Sequence, residues 1–125
     1  MATTDLTKET FKSTIESDGI VLVDYWAEWC GPCRQFAPTY QEVSENHDDV
    51  VFAKVDTEAE PEIASAVNIQ SIPTLMAFRD GILVFAQPGA LPKQALEEII
   101  TKVRELDMDE VRQQVEAEEA EQGQN

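Results

Sequence analysis

The run Ile20-Val21-Leu22-Val23-Asp24-Tyr25-Trp26 constrains this chain more than any other stretch. A half-buried strand alternates apolar and polar residues, whereas this one is apolar at nearly every position. Both of its faces must therefore be covered, which makes it a central strand of a sheet with layers on both sides. One carboxylate, Asp24, interrupts it. Just beyond its end stand the only two cysteines of the sequence, in Trp29-Cys30-Gly31-Pro32-Cys33. A helical pattern then runs from about Pro32 toward Asn46, with Phe36, Tyr40 and Val43 on one face. Pro38 inside it lacks a donor and crowds the carbonyl four residues back, so the helix is expected to kink and continue.

The other elements arrange themselves around that unit. Thr3 to Asp5 is a weak strand signal, and Thr7 reads as a helix N-cap, with Leu6 and Phe11 spaced as a hydrophobic staple. Phe11 and Ile15 continue the stripe, and Ser17-Asp18-Gly19 ends it. Val50 to Val55 is a second buried strand containing Lys54, and Glu60 to Val67 is a short helix with Pro61 in its first turn. After the loop Asn68 to Pro73, Thr74 to Arg79 and Ile82 to Gln87 flank Asp80-Gly81, a two-residue hairpin signal. Following Pro88-Gly89-Ala90, an amphipathic helix entered at Pro92 carries Leu96, Ile99, Ile100, Val103 and Leu106 on one face. The order βαβαβαββα predicts a parallel half and an antiparallel edge in one mixed α/β domain over residues 1–106. Residues 107–125 form an acidic extension. Asp107 and Glu110 are placed to cap a short helix with Met108, Val111 and Val115, and a frayed or disordered tail is expected from Glu116 onward, with a peptide-like interaction tail as the sharper alternative.

Charge narrows the partners. The net charge of −16 opposes binding to nucleic acid or to an anionic membrane. It reads most simply as solubility, with steering toward basic partners as the sharper alternative. No run is long and apolar enough to span a bilayer, and the first residues lack a basic, apolar leader, so the expected address is the cytoplasm. In a reducing compartment a two-cysteine motif is more often catalytic or metal-binding than structural.

A structural zinc site needs four ligands, and the chain offers two cysteines and His47, a helix length away, so only a site bridged by two chains could work. A structural disulfide between Cys30 and Cys33 would close almost no loop in the unfolded chain. Inert core cysteines fit poorly with glycine and proline between them at a helix start. Redox cycling between dithiol and disulfide fits best. Unpaired N–H groups and the dipole at the helix start stabilise a Cys30 thiolate, the nucleophilic form. Cys33, one turn in, is then the more shielded, resolving thiol. Asp24 reads either as a solvated acid at a strand end or, as the apolar run favours, as a buried one that holds its proton more tightly than an ordinary carboxylate and can exchange it with Cys33. His47 and Arg34 read as surface residues, and Tyr25 and Trp26 as core.

The motif Trp29-Cys30-Gly31-Pro32-Cys33, preceded by Val23-Asp24-Tyr25-Trp26-Ala27-Glu28, resembles the thioredoxin family. The likeness covers about residues 3–106 and extends to Pro38, Lys54, Ile72-Pro73-Thr74, Asp80-Gly81 and Gly89-Ala90. It implies the thioredoxin fold, a three-layer α/β/α sandwich with a mixed sheet of four to five strands. It also implies a protein-disulfide reductase that works through Cys30 and Cys33, with Asp24 as the family's buried aspartate and Lys54 as its neighbour. No cofactor is expected on the chain itself. Electrons are expected from NADPH through a flavin-containing thioredoxin reductase, which with oxidised target proteins makes up the expected partners of a monomer.

An X-Pro bond after isoleucine is trans by default, but the resemblance implies a cis Pro73 facing the disulfide. Ile72 would then offer backbone bonds to an extended substrate, and Trp29, Gly31, Pro32, Gly89 and Ala90 would complete the docking surface. Pro88, Pro92 and the acidic extension depart from the family pattern, and Pro88 lacks the N–H that a substrate loop could use. Two alternatives stay open: a disulfide oxidase or isomerase, and a binding module that does not use its thiols.

Overall fold

The computed structural model describes residues 2–123. Strands β1 (Thr3–Asp5), β2 (Ile20–Trp26), β3 (Val50–Asp56), β4 (Thr74–Arg79) and β5 (Ile82–Pro88) form one sheet in the order β1-β3-β2-β4-β5. As its composition requires, β2 is central: it runs parallel to β3 and antiparallel to β4. β1 is the short parallel edge next to β3, and β5 is the antiparallel edge.

Alternation along β2 divides the core into two. Ile20 and Leu22 face helices α2 (Gly31–Ser44) and α4 (Lys93–Glu105), packing with Phe36, Tyr40, Phe52, Leu96 and Ile100. Val21, Val23 and Tyr25 face the opposite layer, with Leu6, Val55 and Ile63 and with Phe11 and Ile15 against them. That layer carries α1 (Phe11–Ile15) and α3 (Pro61–Ala66). The three-layer α/β/α sandwich with a mixed, five-stranded sheet follows directly.

Helix α2 runs through Pro38 without interruption, because its apolar face continues on both sides of the proline. Two turns beyond Cys33, the Tyr40 hydroxyl donates to the Ala53 carbonyl at 2.8 Å, tying α2 to β3. At the hairpin tip Asp80 (φ 52°) and Gly81 (φ 83°) both adopt the left-handed conformation that a two-residue turn between twisted strands demands. Next to it, the Arg79 guanidinium lies 2.8, 3.0 and 2.9 Å from the carbonyls of Val103, Arg104 and Leu106. It supplies a donor to carbonyls at the end of α4, where the helix ladder runs out; among the described residues only that of Val103 also accepts a backbone N–H, from Leu106 at 3.4 Å.

Two local expectations are corrected. Regular helix α1 begins at Phe11 with Thr10, not Thr7, at the cap position. The Thr10 hydroxyl accepts from the Thr7 N–H at 2.9 Å, which closes a separate turn ahead of the helix. Leu6 and Phe11, spaced as a staple, do belong to the same apolar cluster. At the other end, helix α5 spans Met108–Gly123, so the irregular chain expected from Glu116 is helical throughout its described part. Asp107 caps it by accepting from the N–H groups of Asp109 and Glu110 at 3.0 and 3.2 Å. Met108 is buried, Val111 and Val115 are half-buried, and Arg112 pairs with Asp80 at 3.4 Å. Residues 116–122 are exposed. Helix persists there because glutamate, alanine and glutamine extend a nucleated helix at little cost. Gln124 and Asn125 lie outside the described residues.

Candidate active site: the Cys30–Cys33 disulfide beyond the central strand

Strands β2 and β3 are parallel and end together, with Trp26 opposite Asp56. The chain leaving β2 turns at Glu28 and Trp29 and enters α2 with Cys30 as N-cap. Cys30 and Cys33 are disulfide-bonded, their Cα atoms 5.2 Å apart. Cys30 Sγ accepts from the Cys33 N–H at 3.2 Å. One of the free donors at the start of α2 is thus already aimed at this sulfur, the arrangement that stabilises a thiolate once the bond is reduced.

Both sulfurs belong to nearly buried residues, but their surroundings differ. Cys30 lines a groove of about 480 Å³, together with Trp29, Gly31, Pro32 and Ile72, and Cys33 is absent from that lining. Cys30 Sγ also lies 3.7 Å from the Ile72 carbonyl. The Ile72–Pro73 bond is cis, as the family resemblance implied and the default for X-Pro did not. On the far side of Pro73, the Gly89 N–H donates to the Pro73 carbonyl at 2.8 Å, and Gly89 adopts φ 100°. Gly89 and Ala90 are exposed there but do not line the groove. The groove's opposite wall, Thr57, Ala64 and Ile69 to Ser71, was missed by the sequence reading. Thr57 follows β3, Ala64 lies within α3 and Ile69 to Ser71 follow it, and none of them carries a motif.

Asp24 is 1% exposed, and neither carboxylate oxygen has a hydrogen-bond partner. Its strand neighbours are Lys54 on β3 and Leu75 on β4. Burial pushes its carboxyl from the ordinary value of 3.8 up to about 7, and the nearby Lys54 charge holds it from rising further. Lys54 does not bond Asp24. Its ammonium sits 4.8 Å from the centre of the Trp26 ring, a cation–π contact that gives the partly buried charge a partner. Tyr25 is fully buried, as expected, and Trp26 is half-buried. His47, read as a surface residue, instead bridges Glu97 at 3.1 Å and Arg104 at 2.9 Å. No group of side chains among the described residues could hold a metal ion.

A buried acid that titrates near neutrality, a sulfur at a helix N-terminus and an open groove beside that sulfur define a dithiol–disulfide oxidoreductase. The thioredoxin family model matches residues 2–102. The Synechococcus elongatus thioredoxin 1 is 46% identical over 99 residues, covering 78% of this chain and 92% of its own. A Streptomyces coelicolor relative is 56% identical over 122 residues, covering 98% of this chain and 91% of its own, a match that includes the C-terminal extension. Among solved structures, a Plasmodium falciparum thioredoxin superposes with TM-score 0.74 at 38% identity, covering 79% of this chain and 97% of that one. The chain belongs to the thioredoxin family and is a protein-disulfide reductase whose redox centre is the Cys30–Cys33 pair.

Proposed function

We propose a division of labour within that centre. In the reduced protein the Cys30 thiolate attacks one sulfur of a target disulfide, forming a mixed disulfide and expelling the other target sulfur as a thiolate. Cys33 then gives up its proton, attacks Cys30 and releases the second target sulfur. Two electrons pass to the target, and Cys30 and Cys33 are left oxidised. The observation that carries this assignment is the groove, which Cys30 lines and Cys33 does not. Asp24 takes the Cys33 proton, a role suited to an acid held at about 7. Lys54 tunes it through its charge. Trp29, Gly31, Pro32 and the Ile72–Pro73 backbone dock an extended target segment, and Gly89 and Ala90 border it across Pro73. Because Pro88 has no N–H, this border offers the target one backbone donor fewer.

The oxidised centre is returned to the dithiol by a flavin-containing thioredoxin reductase using NADPH, and the chain itself needs no bound cofactor. The protein acts as a monomer in the cytoplasm, and no helix among the described residues is long and apolar enough to cross a membrane. Residues 1–106 form the redox domain, with 107–125 as an appendage.

Replacing Cys33 by serine removes the resolving thiol, so mixed disulfides through Cys30 should accumulate in a cytosol challenged with oxidant. Recovery of no captured protein, or equal capture by Cys30→Ser, would overturn the assignment.

A further inference from the structure

The turn after β3 meets the turn after β2 above the ends of the two strands. Thr57 is anchored through its N–H and hydroxyl to the Trp26 carbonyl at 2.9 and 3.1 Å. Asp56 Oδ1 accepts from the N–H groups of Glu58 and Ala59 at 2.9 and 3.3 Å. The next side chain, Glu58, is thereby aimed at Trp29, and its Oε1 accepts from the indole Nε1–H at 2.6 Å. Trp29 is 67% exposed, so packing does little to restrain it. This charge-assisted bond is the contact that selects its orientation. Trp29 is shared by two depressions: the groove beside Cys30, and a cleft of about 340 Å³ lined otherwise by Glu28, Asp56 and Glu58, with no basic residue.

We propose that Glu58 is a positioning and selectivity residue for disulfide exchange. Its carboxylate locks the Trp29 indole as a wall of the docking groove. With Glu28 and Asp56, it also makes that end of the groove favour targets carrying a lysine or arginine beside the disulfide. A wall fixed before the target arrives spares the cost of ordering it during docking. The carboxylates complement a cation, and the indole face adds to that attraction. The inference rests on the groove being the docking surface.

Three short peptides, each closed by one disulfide and flanked by serine, lysine or glutamate, separate the two roles. The wild-type protein should reduce the lysine peptide about fivefold more efficiently than the glutamate peptide at low ionic strength, with the ratio collapsing in high salt. Glu58→Ala should raise KM for the serine peptide roughly threefold to tenfold with little change in kcat, and should make Trp29 fluorescence easier to quench. Glu58→Gln keeps an oxygen that accepts the indole N–H but loses the charge. It should restore the serine-peptide KM while about halving the lysine preference. An unchanged serine-peptide KM in Glu58→Ala overturns the positioning role, and an unchanged lysine preference in Glu58→Gln overturns the selectivity role. If the wild-type protein reduces none of the peptides, the docking reading itself falls, and this inference with it.

Discussion

Replacing Asp24 by asparagine should leave stability almost unchanged at pH 4 and raise it substantially at pH 8. The Asp24 carboxyl moves from the ordinary 3.8 in the unfolded chain to about 7 in the folded protein. That is about three powers of ten in its proton equilibrium, and each is worth about 1.4 kcal/mol. Because the folded value is the higher, folding favours the protonated acid. Below about pH 4 both states are protonated and the group carries no penalty. As pH rises from 4 to 7 the unfolded state ionises first, and stability falls. Above pH 7 both states are ionised, and the buried charge costs about 4 kcal/mol. Asparagine, neutral and of the same shape, escapes this cost. The two oxygens without partners place the cause in burial rather than in a lost ion pair. Urea denaturation of oxidised wild-type and Asp24→Asn proteins between pH 4 and 9 measures the difference directly. The variant's advantage should grow from near zero to about 4 kcal/mol, while its turnover on a protein disulfide falls by ~10²-fold because the resolving step loses its base. An advantage of equal size at pH 4 and pH 8 would refute the burial argument, and undiminished turnover would refute the proton-transfer role.

Three further outcomes follow from the same contacts. Lys54→Met removes the charge that lowers the Asp24 value; the Asp24-dependent limb of the pH–rate profile should shift to higher pH, and an unmoved limb would show that Lys54 does not act on Asp24. Arg79→Met removes the guanidinium donor from three carbonyls at the end of α4 and should cost about 2 kcal/mol in urea unfolding, with faster hydrogen exchange confined to that end. Ending the chain at Asp107 removes buried Met108 and half-buried Val111 and Val115; stability should drop by about 2–3 kcal/mol with turnover retained, and lost turnover would place α5 in the reaction.

The layered architecture could be read from the chain because its causes are local. A strand apolar on both faces can only be central, and β2 is. Asp80-Gly81 can supply two left-handed residues, and both are left-handed. The redox pair was legible for the same reason: Cys30 and Cys33 are neighbours in sequence, so one helical turn joins them. The buried state of Asp24 was also foreseeable, since a carboxylate within such a strand has no route to solvent. The errors fell where local preferences compete closely. The start of α1 moved because the Thr10 hydroxyl takes the Thr7 N–H. The length of α5 was underestimated because helix propensity, not burial, decides an exposed acidic segment.

Other features depend on groups far apart in the chain, and no local pattern announces them. Glu58 reaches Trp29 only because β2 and β3 lie parallel in register and end side by side. His47 meets Arg104, and Arg79 meets the end of α4, only after the helices pack. The cis Ile72–Pro73 bond opposes the usual X-Pro preference and was anticipated only through family resemblance. By itself, the sequence determined a sheet covered on both sides, a dithiol at a helix start and an acid buried in the central strand, since these follow from burial and spacing along one segment. Only the tertiary structure decided which surface the dithiol presents and what holds Trp29 beside it, because those contacts join residues brought together by folding.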